Sequence, residues 1–276
     1  MDAASAPADL TWEPTIVVST GEAFAYGAKQ GNVRHIRVPD VADFSWMTAS
    51  DVIAAKPHAG AVVELVEDAI QGIATPLFLQ TEMAYEVLHA SAIATDAGVV
   101  CFCGASGYGK STVAQGLALR GHALWADDLV ALRVAPGRVQ ATVLPFRQNV
   151  RSASRSFFQT DKRDASFAPH KVTAWSTRRV HALFVLDPVD EQPHEGKSSF
   201  DVLRLRPADA LAALLSHGMR LMPLDKPGER RILKDYVDLA ASVPVFHVPY
   251  DQDFAILPAL LDALEERVSR IDESDA

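Results

Sequence analysis

The chain has 276 residues, a length that fits one large domain or one domain with a small addition. Hydrophobic residues make up 49% of it and charged residues 22%, an ordinary globular composition that supports a substantial core. The formal net charge is −9. This balance argues against a nucleic-acid partner, because nonspecific binding of that kind needs a basic face.

The first 85 residues are predicted to form a small cap of β strands and helices. Short β runs separated by turn residues extend over 15–39, and helical spacing follows over 61–73 and 76–88. The N-terminus lacks the apolar core of a signal peptide. The most apolar long region of the chain is too charged for a membrane span, since it contains Glu64, Glu67 and Asp68. The sequence therefore predicts a cytoplasmic protein without a membrane partner.

Residues 86–276 are predicted to form the larger domain, which begins with two strands over 89–95 and 98–104 joined by a turn. The second strand holds the two cysteines of the chain, Cys101 and Cys103, on one face. A metal half-site or a redox pair would use this arrangement, but no second cluster of cysteine and histidine lies nearby in the sequence. Free cysteines are usually buried, so we predict that both pack in the core.

A glycine-rich loop follows this strand directly and opens a helix that ends before Gly121. The loop fits the phosphate-binding pattern G-x-x-x-x-G-K-[ST], whose glycines admit positive φ and close approach of a phosphate. Backbone N–H groups and the helix N-terminus would bind phosphate oxygens, Lys110 would add a positive charge, and Ser111 would place its hydroxyl on Mg²⁺. The sequence thus predicts a site for Mg²⁺ and ATP, or another nucleoside triphosphate. Its residues are Gly104, Ala105, Ser106, Gly107, Tyr108, Gly109, Lys110, Ser111 and Thr112.

Two aspartates and a histidine are predicted to complete the site. Asp127 and Asp128 end a strand over 122–128 that would return beside the loop strand. Neighbours on a strand point to opposite sides, so one carboxylate would serve Mg²⁺ and the other would take the proton of an acceptor. His89, at the start of the strand 89–95, would contact a phosphate or orient a carboxylate. The alternatives are a turn pair for the aspartates and a structural role for the histidine.

The rest of the chain combines hairpins with strand–helix alternation. The turn APGR joins strands over 129–134 and 138–145. The polar segment 151–178 is predicted to be a long mobile loop that helps to recognise the acceptor, with a solvated loop as the alternative. Its basic residues include Arg151, Arg155, Lys162 and Arg163. The mixture predicts an α/β domain with a mixed sheet flanked by helices. Its further predicted elements are strands over 180–189, 199–207 and 244–250 and helices over 208–218, 230–243 and 254–271.

The run over 88–133 resembles the catalytic domain of HPr kinase/phosphorylase and its relatives. The resemblance rests on the histidine ahead of the strand pair, the loop form G-x-S-G-x-G-K-S, and the run RGH-x-L-x-ADD-x-V. It implies a P-loop kinase fold of the type related to phosphoenolpyruvate carboxykinase, which transfers phosphate from a nucleotide to a serine hydroxyl. Carried over by motif, the resemblance implies Asp127 as catalytic base and Lys110 at the phosphates. It also implies that Asp128 and Ser111 bind Mg²⁺ and that His89 lies beside the phosphoryl group being transferred.

The sequence departs from the pattern of this family in two ways that concern the acceptor. The Glu-Ile-Arg-Gly type of signature found in the bifunctional enzymes is missing, and 143–154 occupies the comparable region, which argues against phosphorolysis. The short N-terminal part is similar to HPr-kinase-like proteins associated with ribosomal peptide maturation, lasso-peptide precursor kinases among them. The resemblance implies a kinase acting on a serine of a peptide or protein, such as a ribosomal peptide precursor. It also implies that a homo-oligomer can form. The alternatives are a small-metabolite hydroxyl kinase and a non-catalytic nucleotide-binding accessory protein.

Overall fold

The structure is a computed structural model that describes residues 9–17, 23–49, 51–143, 176–189, 201–219 and 225–274. The chain divides into two compact units, Met1–Val87 with Gly218–Lys234, and Leu88–His217 with Asp235–Ala276. The first unit ends close to the boundary predicted at residue 85. It also includes a later segment that sequence spacing assigns to the larger domain. Most of the predicted loop 151–178, including Arg151, Arg155, Lys162 and Arg163, lies outside the described residues.

The first unit contains a five-stranded antiparallel sheet whose strands are neighbours in chain order. They are β1 (Glu13–Val17), β2 (Ala23–Gln30), β3 (Val33–Val38), β4 (Ala42–Met47) and β5 (Ala54–Pro57). In β4, the buried residues Ala42, Phe44 and Trp46 alternate with more exposed ones, which is the period-two pattern of a strand with one face in a core. Trp46 packs edge-on against Phe78 with ring centroids 5.7 Å apart.

The helices of the first unit are shorter than the sequence predicts. Helix α1 (Val63–Ala69) continues through one π-helical turn (Ile70–Ala74) into α2 (Thr75–Glu82). The predicted helix over 76–88 is therefore wrong in its last part, where Ala84 adopts a φ of 52° and a strand begins at Glu86. The buried Glu86 carboxylate accepts a 2.7 Å hydrogen bond from Arg231, a contact between residues 145 positions apart that no local pattern can reveal.

The second sheet is mixed and has eight strands within the described residues. The three adjacent strands β7, β11 and β13 are parallel. The pairs β6–β7, β6–β8, β9–β10, β10–β11 and β12–β13 are antiparallel. A mixed α/β architecture is thus confirmed. The strands are β6 (Glu86–Ala94), β7 (Val99–Cys103), β8 (Ala123–Ala126), β9 (Leu129–Ala135), β10 (Arg138–Thr142), β11 (Thr177–Pro188), β12 (Leu203–Arg204) and β13 (Val245–Tyr250).

Aromatic residues on the three parallel strands form the centre of the core. Phe184 stacks between Phe102 and Phe246, with ring centroids 5.8 and 5.1 Å away. Apolar residues of the helices over 110–119 and 257–274 cover this face. The two helices approach each other closely, because a Cβ on Gly116 would lie 2.7 Å from Leu261 Cδ1. The later helices are α3 (Lys110–Leu119), α4 (Pro207–Leu215), α5 (Lys226–Ser242), a 3₁₀ turn (Phe254–Ile256) and α6 (Leu257–Ser274). Across the described ranges, no helix is both long and apolar enough to cross a bilayer.

The two cysteines lie on β7 and are fully buried. Burial raises the pKa of Cys101 well above its usual value and that of Cys103 to about 12. Both side chains are therefore neutral thiols within the core, which confirms the packing role predicted for them.

The strand directions bring several chain segments to one edge of the second sheet. The parallel strands β7 and β13 end at this edge, at Cys103 and Tyr250. Strand β6 is antiparallel to β7 and begins there, and β8 is antiparallel to β6 and ends there. The residues that follow β7, β8 and β13, and those that open β6, are consequently neighbours.

Candidate functional site

The loop between β7 and α3 has a conformation that requires glycine. Gly107 and Gly109 adopt φ angles of 91° and 70°, which side chains rarely tolerate. A Cβ on Gly109 would also lie 3.0 Å from the Tyr250 hydroxyl oxygen. The loop leads directly into the first turn of α3, and the N-terminal end of a helix is a common binding site for anions.

Residues after and at the end of β13 hold the loop in place. The Tyr250 hydroxyl donates a 2.9 Å hydrogen bond to the carbonyl oxygen of Tyr108, and the Gln252 side-chain amide donates to the carbonyl oxygen of Gly107. Burial raises the pKa of Tyr250 to about 12, so the hydroxyl keeps its proton at neutral pH. These contacts fix two consecutive carbonyls of the loop from one side.

Lys110 is buried at the start of α3, with 5% of its surface exposed. Its ammonium group donates to the carbonyl oxygens of Gly104 and Ala105, at 2.9 and 3.0 Å. The positive charge therefore lies inside the turn of the loop, and the phosphate-binding role of Lys110 stays a prediction.

Asp127 belongs to a cluster of oxygen atoms behind the loop. The Ser91 hydroxyl donates a 2.9 Å hydrogen bond to Asp127 Oδ1, and the Ser91 and Ser111 hydroxyl oxygens lie 3.5 Å apart. Burial raises the pKa of Asp127, while hydrogen bonds from the Ser111 and Ser91 hydroxyls act in the opposite direction. A bound cation would offset the cost that burial imposes on this charge.

The cluster fits Mg²⁺ by the chemistry of its donors, because this ion prefers carboxylate, hydroxyl and water oxygens. In the described part of the chain, no three side chains of His, Cys, Asp or Glu gather into a metal site. An ion beside Asp127 and Ser111 would therefore complete its shell with phosphate and water oxygens, as is usual for Mg²⁺ at a nucleotide.

Asp128 follows Asp127 directly, and the charge of its carboxylate acts to raise the pKa of Asp127. Asp128 adopts a φ of 70° in the turn between β8 and β9, and the Ala90 N–H donates to its carbonyl oxygen at 3.1 Å. Its side chain is exposed, and Oδ1 lies 3.7 Å from His89 Nε2. Non-glycine residues with positive φ concentrate at functional sites, and aspartate tolerates this conformation better than most residues. Asp128 and His89 thus form an accessible acid–base pair beside the loop.

His217, two residues beyond α4, is a member of the site that sequence reasoning missed. Its carbonyl oxygen accepts a 2.8 Å hydrogen bond from the His89 N–H. Burial lowers the pKa of His217 to about 4, and the positive charges of Lys110 and His89 contribute to this shift. The imidazole is therefore neutral at pH 7. It follows Lys110 by 107 positions and forms no motif with it, so local spacing carries no signal for it.

We predict that His217 makes the protein sensitive to acid. Its folded-state pKa of about 4 lies below the ordinary 6.5, so the unfolded chain binds a proton more readily. Stability is therefore lost as the pH falls from about 6.5 towards 4. His217→Gln should reduce this loss, as measured by thermal unfolding midpoints at pH 7 and pH 5. His122→Gln is the matched control, and an equal effect of both substitutions would contradict the prediction.

A cavity of about 330 Å³ adjoins the loop. One side of it is formed by the loop and the start of α3, and Asp128 lies on its wall. The other side is formed by residues from Tyr250 to Leu260. All the predicted loop residues, 104–112, together with both aspartates and His89, therefore lie at the same edge of the sheet. Arg151, Arg155, Lys162 and Arg163 lie outside the described residues, so their proposed role in acceptor recognition stays a prediction.

No family model matches the chain, and no curated protein matches it either. Among solved structures, the chain is similar to the HPr(Ser) kinase/phosphatase from Coxiella burnetii. The two share 13% sequence identity, and the similarity covers 67% of this chain and 98% of the other, with a TM-score of 0.38. A similarity at this level leaves the functional argument to the geometry of the site.

Proposed function

We propose that this protein is a kinase that transfers the terminal phosphoryl group of ATP, or of another nucleoside triphosphate, to a hydroxyl group. The observation that carries the proposal is the gathering of three features at one sheet edge. These are a glycine loop around the Lys110 ammonium, an oxygen cluster at Asp127, and a second carboxylate, Asp128, on the cavity wall. A protein that only binds nucleotide needs the first two features and has no use for the third.

The loop N–H groups and Lys110 would bind the phosphates, and Ser111 and Asp127 would hold Mg²⁺. The ion supplies neutralisation of the charge that develops on the transferring group. This assignment exchanges the roles that the motif resemblance implies for the two aspartates. It is supported by the hydrogen bonding of Asp127 to the serine cluster and by the exposure of Asp128 beside the cavity.

Asp128 would act as the base. The acceptor oxygen forms a bond to the terminal phosphorus, the bond from that phosphorus to the bridging oxygen breaks, and the nucleoside diphosphate leaves. The acceptor proton passes to an Asp128 carboxylate oxygen. His89, 3.7 Å from that carboxylate, is suited to orient it and to contact the transferring group.

The acceptor we propose is a serine of a peptide or protein, a ribosomal peptide precursor among them, and this class rests on the sequence resemblance alone. The test is incubation with Mg²⁺ and ATP labelled at the terminal phosphate, with peptide, protein and small hydroxyl acceptors in parallel. Labelled phosphoserine supports the proposal. Label in a small molecule alone indicates a metabolite kinase. ADP formation without any labelled acceptor indicates an accessory nucleotide-binding protein.

We predict that Asp127→Asn raises the Mg²⁺ concentration needed for half-maximal ATP binding by at least about tenfold, because a ligand charge is lost. The amide oxygen can still accept the Ser91 hydrogen bond, so the fold should persist. The measurement is calorimetric titration of ATP at a series of Mg²⁺ concentrations. Asp128→Asn, the same change on the adjacent residue, serves as control and should leave the Mg²⁺ requirement unchanged. Equal shifts for both variants would contradict the assignment.

A further inference from the structure

The cavity beside the loop joins two different chemical surfaces. At one end it is lined by Lys110, Ser111 and Asp128, which suit phosphates and their cation. At the other end the 3₁₀ turn and α6 contribute an apolar wall. The volume of about 330 Å³ lies within the range of small-molecule sites. The residues of the apolar wall are Phe254, Ile256, Leu257 and Leu260.

From this arrangement we infer that the apolar end of the cavity is the subsite for the nucleoside half of the nucleotide. The inference rests on the proposed function, since it concerns the same ligand. A nucleotide is a polyanion joined to a flat, largely apolar ring system, and the cavity lining includes a partner for each half. The loop motif contacts phosphates alone, so the position of the base cannot be predicted from it.

Phe254 is the residue best suited to contact the base. Its side chain is 44% exposed, whereas Leu257 and Leu260 beside it are 6% and 1% exposed. The two leucines belong to the core, and Phe254 lines the cavity. Stacking of a base on an aromatic ring tolerates any base and commonly changes affinity by about tenfold or more.

The same chain segment provides both the wall and the support for the loop. Tyr250 and Gln252 donate hydrogen bonds to the loop, and the 3₁₀ turn begins two residues later. Asp253 caps this turn, with Oδ1 accepting a 2.9 Å hydrogen bond from the Ala255 N–H. The cap fixes the turn that carries Phe254. The position of the apolar wall is therefore set relative to the phosphate loop by short-range contacts.

The test compares the binding of Mg-ATP with that of Mg-tripolyphosphate, which lacks a nucleoside, by calorimetry. Phe254→Ala should weaken ATP binding by about tenfold or more and leave tripolyphosphate binding unchanged. Phe254→Trp should retain ATP affinity because it preserves a stacking surface. Phe24→Ala, the same truncation at a half-exposed phenylalanine of β2, is the matched control and should leave the affinity for both ligands unchanged. Thermal unfolding of each variant verifies that the protein is folded.

The inference is overturned if Phe254→Ala leaves ATP binding unchanged, or if it weakens both ligands equally. It is also overturned if the wild-type protein binds ATP no more tightly than tripolyphosphate, a result that leaves the phosphate loop intact as a site. If the wild-type protein binds neither ligand, the proposed function fails together with the inference.

Discussion

Asp128→Asn should lower phosphoryl transfer by about 10²–10⁴-fold, the usual contribution of a general base, while ATP affinity stays close to that of the wild type. The amide cannot take the acceptor proton. Asparagine accepts positive φ as readily as aspartate does, so the 70° conformation at this position should be preserved. The measurement is the single-turnover rate of label transfer to the acceptor at saturating Mg-ATP.

The comparison with Asp127→Asn makes this prediction specific. In the assignment proposed here, Asp127→Asn loses activity through its Mg²⁺ requirement, and excess Mg²⁺ restores part of the rate. The motif resemblance implies the reverse. Transfer at a near wild-type rate by Asp128→Asn, with a loss in Asp127→Asn that excess Mg²⁺ does not relieve, would favour the resemblance over the geometry.

Lys110→Met should weaken Mg-ATP binding by at least about a hundredfold and abolish detectable turnover. Two opposite unit charges 4 Å apart near a protein surface attract by about 4 kcal/mol. The variant lacks the Lys110 charge and therefore loses this attraction to the phosphates. Methionine retains much of the length of the side chain, which limits the void at a residue with 5% exposure. Calorimetric titration with Mg-ATP and with Mg-tripolyphosphate measures the loss.

The control for this substitution is Lys226→Met, which removes an exposed lysine at the start of α5. It should leave both affinities unchanged. Equal Mg-ATP affinity in Lys110→Met and the wild-type protein would show that the loop is not a phosphate site, and the proposed function would have to be abandoned.

The conformation of the glycine loop could be predicted from the sequence because its determinants are local. An apolar strand, glycines at fixed offsets and a helix beginning at Lys110 all occur within about fifteen residues, and the structure has each of them. Strand alternation predicts different roles for the two aspartates, but neither residue belongs to a strand. Strand β8 ends at Ala126, and Asp127 and Asp128 lie in a turn whose backbone separates their side chains differently.

Other features depend on contacts between distant parts of the chain. Glu86 is buried because Arg231 binds it, and His217 belongs to the site because its carbonyl pairs with the His89 N–H. The strands β4 and β5, which pair with each other, are not predicted from the sequence, although the buried residues of β4 alternate regularly. Such pairings become visible only once the topology is known.

The hydrogen bonds that Tyr250 and Gln252 donate to the loop affect the thermodynamics of ligand binding. Ordering the backbone of one residue costs about 1–2 kcal/mol of conformational entropy at 25 °C, and glycine loses more than other residues. The two hydrogen bonds come from the protein itself, so they restrict the carbonyls of Gly107 and Tyr108 independently of any phosphate. The entropic cost of ordering these two residues is therefore incurred on folding, and a nucleotide that binds as proposed would meet a preorganised loop.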